Sequence, residues 1–180
     1  MAKYAAFLRG INVGGHKPVP MGKLKAALES LGFQNVHTLL VSGNVLFEAP
    51  AAGTPALAKK IEERLKKTFG TDIGTIVRTI QELRDLAGSG PFKAVRVTPQ
   101  TRLYVTFLPE RPQSSLKIPY STPEKDFQIL RVTATEVCSV VIVSPARRSV
   151  DLMNILEKEF GKRITTRNWN TVVRVLKAST

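Results

Sequence analysis

Apolar residues in this chain recur in two rhythms, and their alternation reads as a mixed α+β fold. Lys3–Arg9 is a short apolar strand that stops at Gly10, and Met21–Leu31 has helical spacing at Leu24, Leu28 and Leu31 before Gly32. Val36–Val41 and Val45–Phe47 are β-rich runs separated by Ser42-Gly43-Asn44, where Gly-Asn suggests a two-residue type II′ hairpin. Thr54–Phe69 then carries Leu57, Ile61, Leu65 and Phe69 on one face, with Thr54 as expected N-cap and Pro55 in first position. Ile73–Thr79 closes the set as a strand. The order β-α-β-β-α-β is that of a ferredoxin-like plait with an antiparallel sheet.

The second half repeats the pattern less cleanly. Gln81–Ala87 reads as a connecting helix and Gly88-Ser89-Gly90-Pro91 as a linker. Leu103–Leu108 is a strand, and the Pro-rich stretch 109–123 has room for one helical turn. Phe127–Val132 and Val137–Val143 form a strand pair, Val150–Phe160 a helix with Ser149 as N-cap, and Ile164–Thr166 a short strand. Thr171–Ala178 fits a helix capped by Asn170, although Val172-Val173 also suits a strand. Two tandem plaits follow, a first subdomain over 1–87, a linker over 88–100 and a second subdomain over 101–180. In such a topology the loop after Arg9 and the turn at Ser42–Asn44 share one end of the first sheet.

Charge adds a second layer. The 180 residues hold 27 Lys+Arg against 14 Asp+Glu, a net +13. The first 90 residues contribute 12 basic and 7 acidic side chains and the rest 15 and 7, so both halves are basic. Such a surface attracts nucleic acid or phosphorylated ligands without specifying which. Solubility alone also accounts for lysines on helix faces, as at Lys59-Lys60 and Lys66-Lys67. No apolar run reaches the roughly 18 residues of a membrane span, and the N-terminus lacks a signal-peptide pattern. A cytoplasmic protein that does not engage the membrane is the expectation. One cysteine, Cys138 in an apolar strand, excludes an internal disulfide framework, and no ligand-spaced group accompanies His16 or His37, so neither metal nor cofactor is expected. Oligomeric state is not encoded in any of these features.

Three blocks carry candidate chemistry. Arg9, Gly10, Asn12, Gly14, Gly15 and Lys17 form a basic glycine loop ahead of a helix, suited to phosphate or carboxylate. Its spacing imitates a nucleotide-binding phosphate loop, but His16 stands where the lysine belongs and Pro18 and Pro20 delay the helix. Turn formation, with Asn12 bonding local backbone, explains the same residues. Ser42, Gly43 and Asn44 offer a hydroxyl and an amide, without a nucleophile elbow around the serine. Arg167, Asn168, Trp169 and Asn170 offer a fork for anions and a stacking face, or else a packed tryptophan and helix caps. Arg147-Arg148 precedes a helix and suits an anion or a solvated loop.

The strings Leu8-Arg9-Gly10-Ile11-Asn12-Val13-Gly14-Gly15, Met21 opening a helix, Ser42-Gly43-Asn44-Val45 and Thr165-Thr166-Arg167-Asn168-Trp169-Asn170-Thr171 run in that order. Together they resemble a bacterial family, domain of unknown function 1697. The resemblance implies a pair of ferredoxin-like subdomains and implies no activity. Two functions are therefore expected. One is binding of a phosphate-bearing ligand or nucleic acid through the glycine loop. The other is an enzyme or small-ligand protein acting on an anionic metabolite between subdomains, in which the Arg167 block meets the Arg9 loop.

Overall fold

A computed structural model describes residues 1–15 and 18–180. Among them the chain is α+β, with five helices and two antiparallel sheets. It divides into two compact units, one of Met1–Asp85 with Arg174–Thr180 and one of Leu86–Val173.

In the first unit the elements are β1 (Ala2–Leu8), α1 (Met21–Glu29), β2 (Gln34–Leu39), β3 (Asn44–Ala49), α2 (Thr54–Phe69) and β4 (Thr75–Thr79). The sheet order is β2-β3-β1-β4 with every neighbour antiparallel. Alternate residues of the central strands, Tyr4, Ala6, Leu8, Val45 and Phe47, join Leu24 and Leu28 of α1 and Leu57, Ile61 and Leu65 of α2 in one core. Their four-residue helical spacing places them on one face. The intervening strand residues Ala5, Phe7 and Leu46 are buried as well. Gly70, left-handed at φ 72°, terminates α2 by donating its N–H to the Lys66 carbonyl at 2.8 Å.

Two local expectations change here. Helix α2 starts at Thr54 itself, with Gly53 in the N-cap position and no side-chain cap. The β2–β3 connection is a four-residue loop, since Leu39 pairs with Asn44 and leaves Leu40–Gly43 between them. Leu40 at φ 59° and Gly43 at φ 86° make that turn left-handed at both ends.

α3 (Ile80–Gly88) follows, and the second unit carries β5 (Thr101–Phe107), β6 (Tyr120–Ser121), β7 (Phe127–Val132), β8 (Glu136–Ile142), α4 (Leu152–Phe160) and β9 (Thr165–Asn168) before α5 (Trp169–Ala178). Its sheet runs β6-β7-β8-β5-β9, all antiparallel. Phe127, Ile129, Val137, Val141, Leu156 and Ile164 form its core. Residues 109–119 hold no helical turn: Pro109, Pro112 and Pro119 remove donors and bias the residues before them toward extended backbone. Leu116 and Ile118 of this stretch pack on the core, and Tyr120–Ser121 joins the sheet edge. The cap of α4 is Asp151, which accepts from the Asn154 N–H at 3.1 Å, and not Ser149. The tail is helical throughout Trp169–Ala178.

Candidate functional site

Strand β1 delivers the glycine loop to the end of the first sheet where β2 turns into β3. The Leu8 N–H donates to the Gly43 carbonyl at 2.9 Å, and the Arg9 N–H to the Gly74 carbonyl at 2.8 Å. Beyond Arg9 the backbone visits the left-handed region at Gly10 (63°), Asn12 (55°), Gly14 (57°) and Gly15 (76°). Glycine tolerates this conformation freely; asparagine does so because its side chain bonds nearby backbone. Asn12 does this on both sides of its amide. Its Nδ2 donates to the Val41 carbonyl at 2.7 Å and the Val19 carbonyl at 3.0 Å, while its Oδ1 accepts from the Val19 N–H at 2.7 Å. One side chain thus ties the loop's start, its end and the β2–β3 turn together.

Glycines in the two segments do different work. A Cβ on Gly43 would lie 2.7 Å from Ile11 Cδ1 and 2.8 Å from Leu8 Cβ, so this glycine lets the turn close onto the loop. Gly10 and Gly15 are exposed, with nothing within 4 Å of a Cβ on either. Their backbone faces open space. Asn44, by contrast, is fully buried, its amide donating to the Leu39 carbonyl at 2.9 Å and Ser42 Oγ at 3.0 Å. It closes the turn from inside, leaving exposed Ser42 as the outward polar side chain of the trio. Lys17 lies outside the described residues. Val13, Leu40 and Val41 are exposed large apolar side chains of the same two segments, a feature that strand and turn patterns do not flag.

Arg167, Asn168, Trp169 and Asn170 belong to the second unit. Arg167 sits on β9, buried, its guanidinium donating to Thr165 Oγ1 at 2.9 Å and the Thr166 carbonyl at 3.1 Å. Burial disfavours its charge and pulls its pKa down to about 10. Asn168 Oδ1 accepts from the Asn170 N–H at 2.9 Å and caps α5, the role expected of Asn170. Trp169 is half-buried, edge-on to Phe92 with centroids 5.3 Å apart. Asn170 is exposed.

Tyr4, Phe7 and Phe47 are buried, and Phe47 stacks between Tyr4 at 5.5 Å and Phe33 at 4.6 Å. None of the three rings presents a face for a base. The Cys138 thiol is also buried. Among the described residues no cluster of three His, Cys, Asp or Glu side chains could hold a metal, and no helix is long and apolar enough to cross a membrane.

The chain is similar to the solved structure of conserved bacterial protein SP0830 from Streptococcus pneumoniae, with 18% identity, a TM-score of 0.68 and 99% of each chain covered. At that identity the likeness is one of fold. No curated protein matches the sequence. The model of the family described as "Protein of unknown function (DUF1697)" matches residues 1–137, and with its glycine loop, β2–β3 turn and first sheet inside that span, the chain belongs to this family.

Proposed function

We propose that the protein consists of two tandem ferredoxin-like plaits, over 1–87 and 101–180 with 88–100 between them, and binds a phosphate-bearing ligand or nucleic acid through its Arg9–Lys17 loop. The β-α-β-β-α-β order and the β2-β3-β1-β4 sheet support the first plait. In the second, β9-β5-β8-β7 repeats that order, with the Pro-rich strap in place of the first helix and β6 added at the edge.

The observation that carries the binding reading is the open backbone at Gly10 and Gly15. Neither glycine is required by packing, unlike Gly43, and both keep left-handed backbone exposed between two basic residues, Arg9 and Lys17. Left-handed and turn conformations point successive N–H groups into a common concavity, which suits phosphate oxygens. The Asn12 brace holds that shape before a ligand arrives, which lowers the ordering cost of binding. For nucleic acid, the buried Tyr4, Phe7 and Phe47 favour phosphate contact over base stacking on the sheet.

Calorimetric titration with pyrophosphate at about 50 mM salt tests this reading, since electrostatic binding is strongest at low ionic strength. Wild type binds, and Gly15→Val, which forces a β-branched residue to φ 76°, binds about tenfold or more weakly. Absence of any heat of binding in the wild type overturns the reading.

A further inference from the structure

The second unit holds a cavity of about 310 Å³ that the glycine loop does not explain. It is lined by the end of β8, Val141 and Ile142, and by Val143 just beyond it, with Ile142 40% exposed. One wall is the β6–β7 turn with Glu124 and Lys125; the other is the segment ahead of α4 with Arg147 and Arg148. Both walls are held by hydrogen bonds. Thr122 Oγ1 donates to Asp126 at 2.6 Å and accepts from the Phe127 N–H at 3.1 Å, the Ile142 N–H donates to the Asp126 carbonyl at 2.8 Å, and the Arg147 N–H donates to the Ser144 carbonyl at 3.2 Å. The helix terminus is not the carrier, because Asp151 already caps it.

We infer that this cavity binds a small phosphate ester bearing hydroxyl groups, of pentose-phosphate to mononucleotide size. Arg147 and Arg148 make no ion pair among the described residues, although Glu124 lines the same cavity. The two guanidiniums suit a phosphate, and a guanidinium can meet it with two parallel hydrogen bonds. Glu124 supplies an acceptor at the other wall, which a phosphate repels and a sugar hydroxyl satisfies. Ile142 and Val150 give the carbon skeleton an apolar floor. About 310 Å³ falls at the lower end of the roughly 300–1,000 Å³ of ligand pockets, which suits a ligand of pentose-phosphate to mononucleotide size.

Calorimetry with ribose 5-phosphate, inorganic phosphate and ribose tests it on the full chain, in a Gly15→Val background that weakens the loop site. Ribose 5-phosphate binds that variant at one site. Adding Arg147→Ala and Arg148→Ala weakens it about 100-fold, since a charge-assisted hydrogen bond from each guanidinium is worth about tenfold in affinity. Both arginines are exposed, and an unchanged melting temperature verifies the fold. Glu124→Gln weakens ribose 5-phosphate about fivefold and leaves inorganic phosphate unchanged or tighter. Ribose 5-phosphate binding that Gly15→Val abolishes, or that the arginine pair does not affect, overturns the site while leaving the loop reading intact. Equal effects of Glu124→Gln on ribose 5-phosphate and phosphate overturn the hydroxyl assignment.

Discussion

Gly43 and Gly15 share a left-handed backbone but not an environment, and a single methyl group separates their roles. At Gly15 an added Cβ meets nothing, so Gly15→Ala costs only the conformational penalty, roughly 1 kcal/mol. At Gly43 it meets Ile11 and Leu8 below 3.0 Å, so overpacking adds to strain and Gly43→Ala costs roughly 2–4 kcal/mol. Urea unfolding of both variants checks the ordering. Cys138 gives a second residue-scale prediction. Burial pushes its thiol from 9.0 up to about 11, Arg131 pulling the other way and Glu136 adding to the rise. The fold prefers the protonated thiol, so this contribution is complete below pH 9 and is lost as pH rises through 11. Relative to Cys138→Ala, the unfolding free energy of wild type falls by about 2 kcal/mol between those limits. A parallel pH dependence of the two proteins contradicts it. The same burial keeps Cys138 unreactive toward thiol reagents until the chain unfolds.

Elements are legible in the sequence where local pattern and tertiary packing agree. Helix α2 carries its apolar stripe at four-residue steps and ends on Gly70, and both its ends are readable from sequence to within a residue. The cap of α4 is not, because Ser149 and Asp151 both have capping chemistry and the backbone turns only at the second. Asp151→Ala therefore destabilises the protein by about 1 kcal/mol, whereas Ser149→Ala is nearly silent in thermal unfolding. Gly-Asn by itself signals a two-residue connection between β2 and β3. Asn44 instead enters β3 as a buried residue bonding back to Leu39, and the loop grows to four. That change matters for the site: Asn44 turns inward and Ser42 outward. Asn12 is legible as a turn former, but its three bonds to Val19 and Val41 join positions 7 and 29 residues away, which no local pattern encodes. The cavity at Arg147 and Arg148 is invisible in sequence for the same reason, since its two walls come from separate stretches of chain.

For the whole molecule, the net charge of +13 is a poor guide to where binding occurs, because it is spread over both halves. Salt dependence separates a local site from a diffuse one. If duplex DNA binds through Arg9 and Lys17, two phosphate neutralisations give a log–log slope of about −2. A slope of about −6 or steeper would assign binding to the general basic surface. The central claim is narrower than charge, namely that the open glycine backbone itself contacts phosphate. Amide-resolved nuclear magnetic resonance titration of the full chain with pyrophosphate tests it most directly. The account predicts saturable shifts at the Gly10, Gly14 and Gly15 N–H signals, with Gly43, enclosed by Ile11 and Leu8, nearly still. Shifts confined to lysine-rich helix faces, with the three loop glycines unmoved, would contradict it.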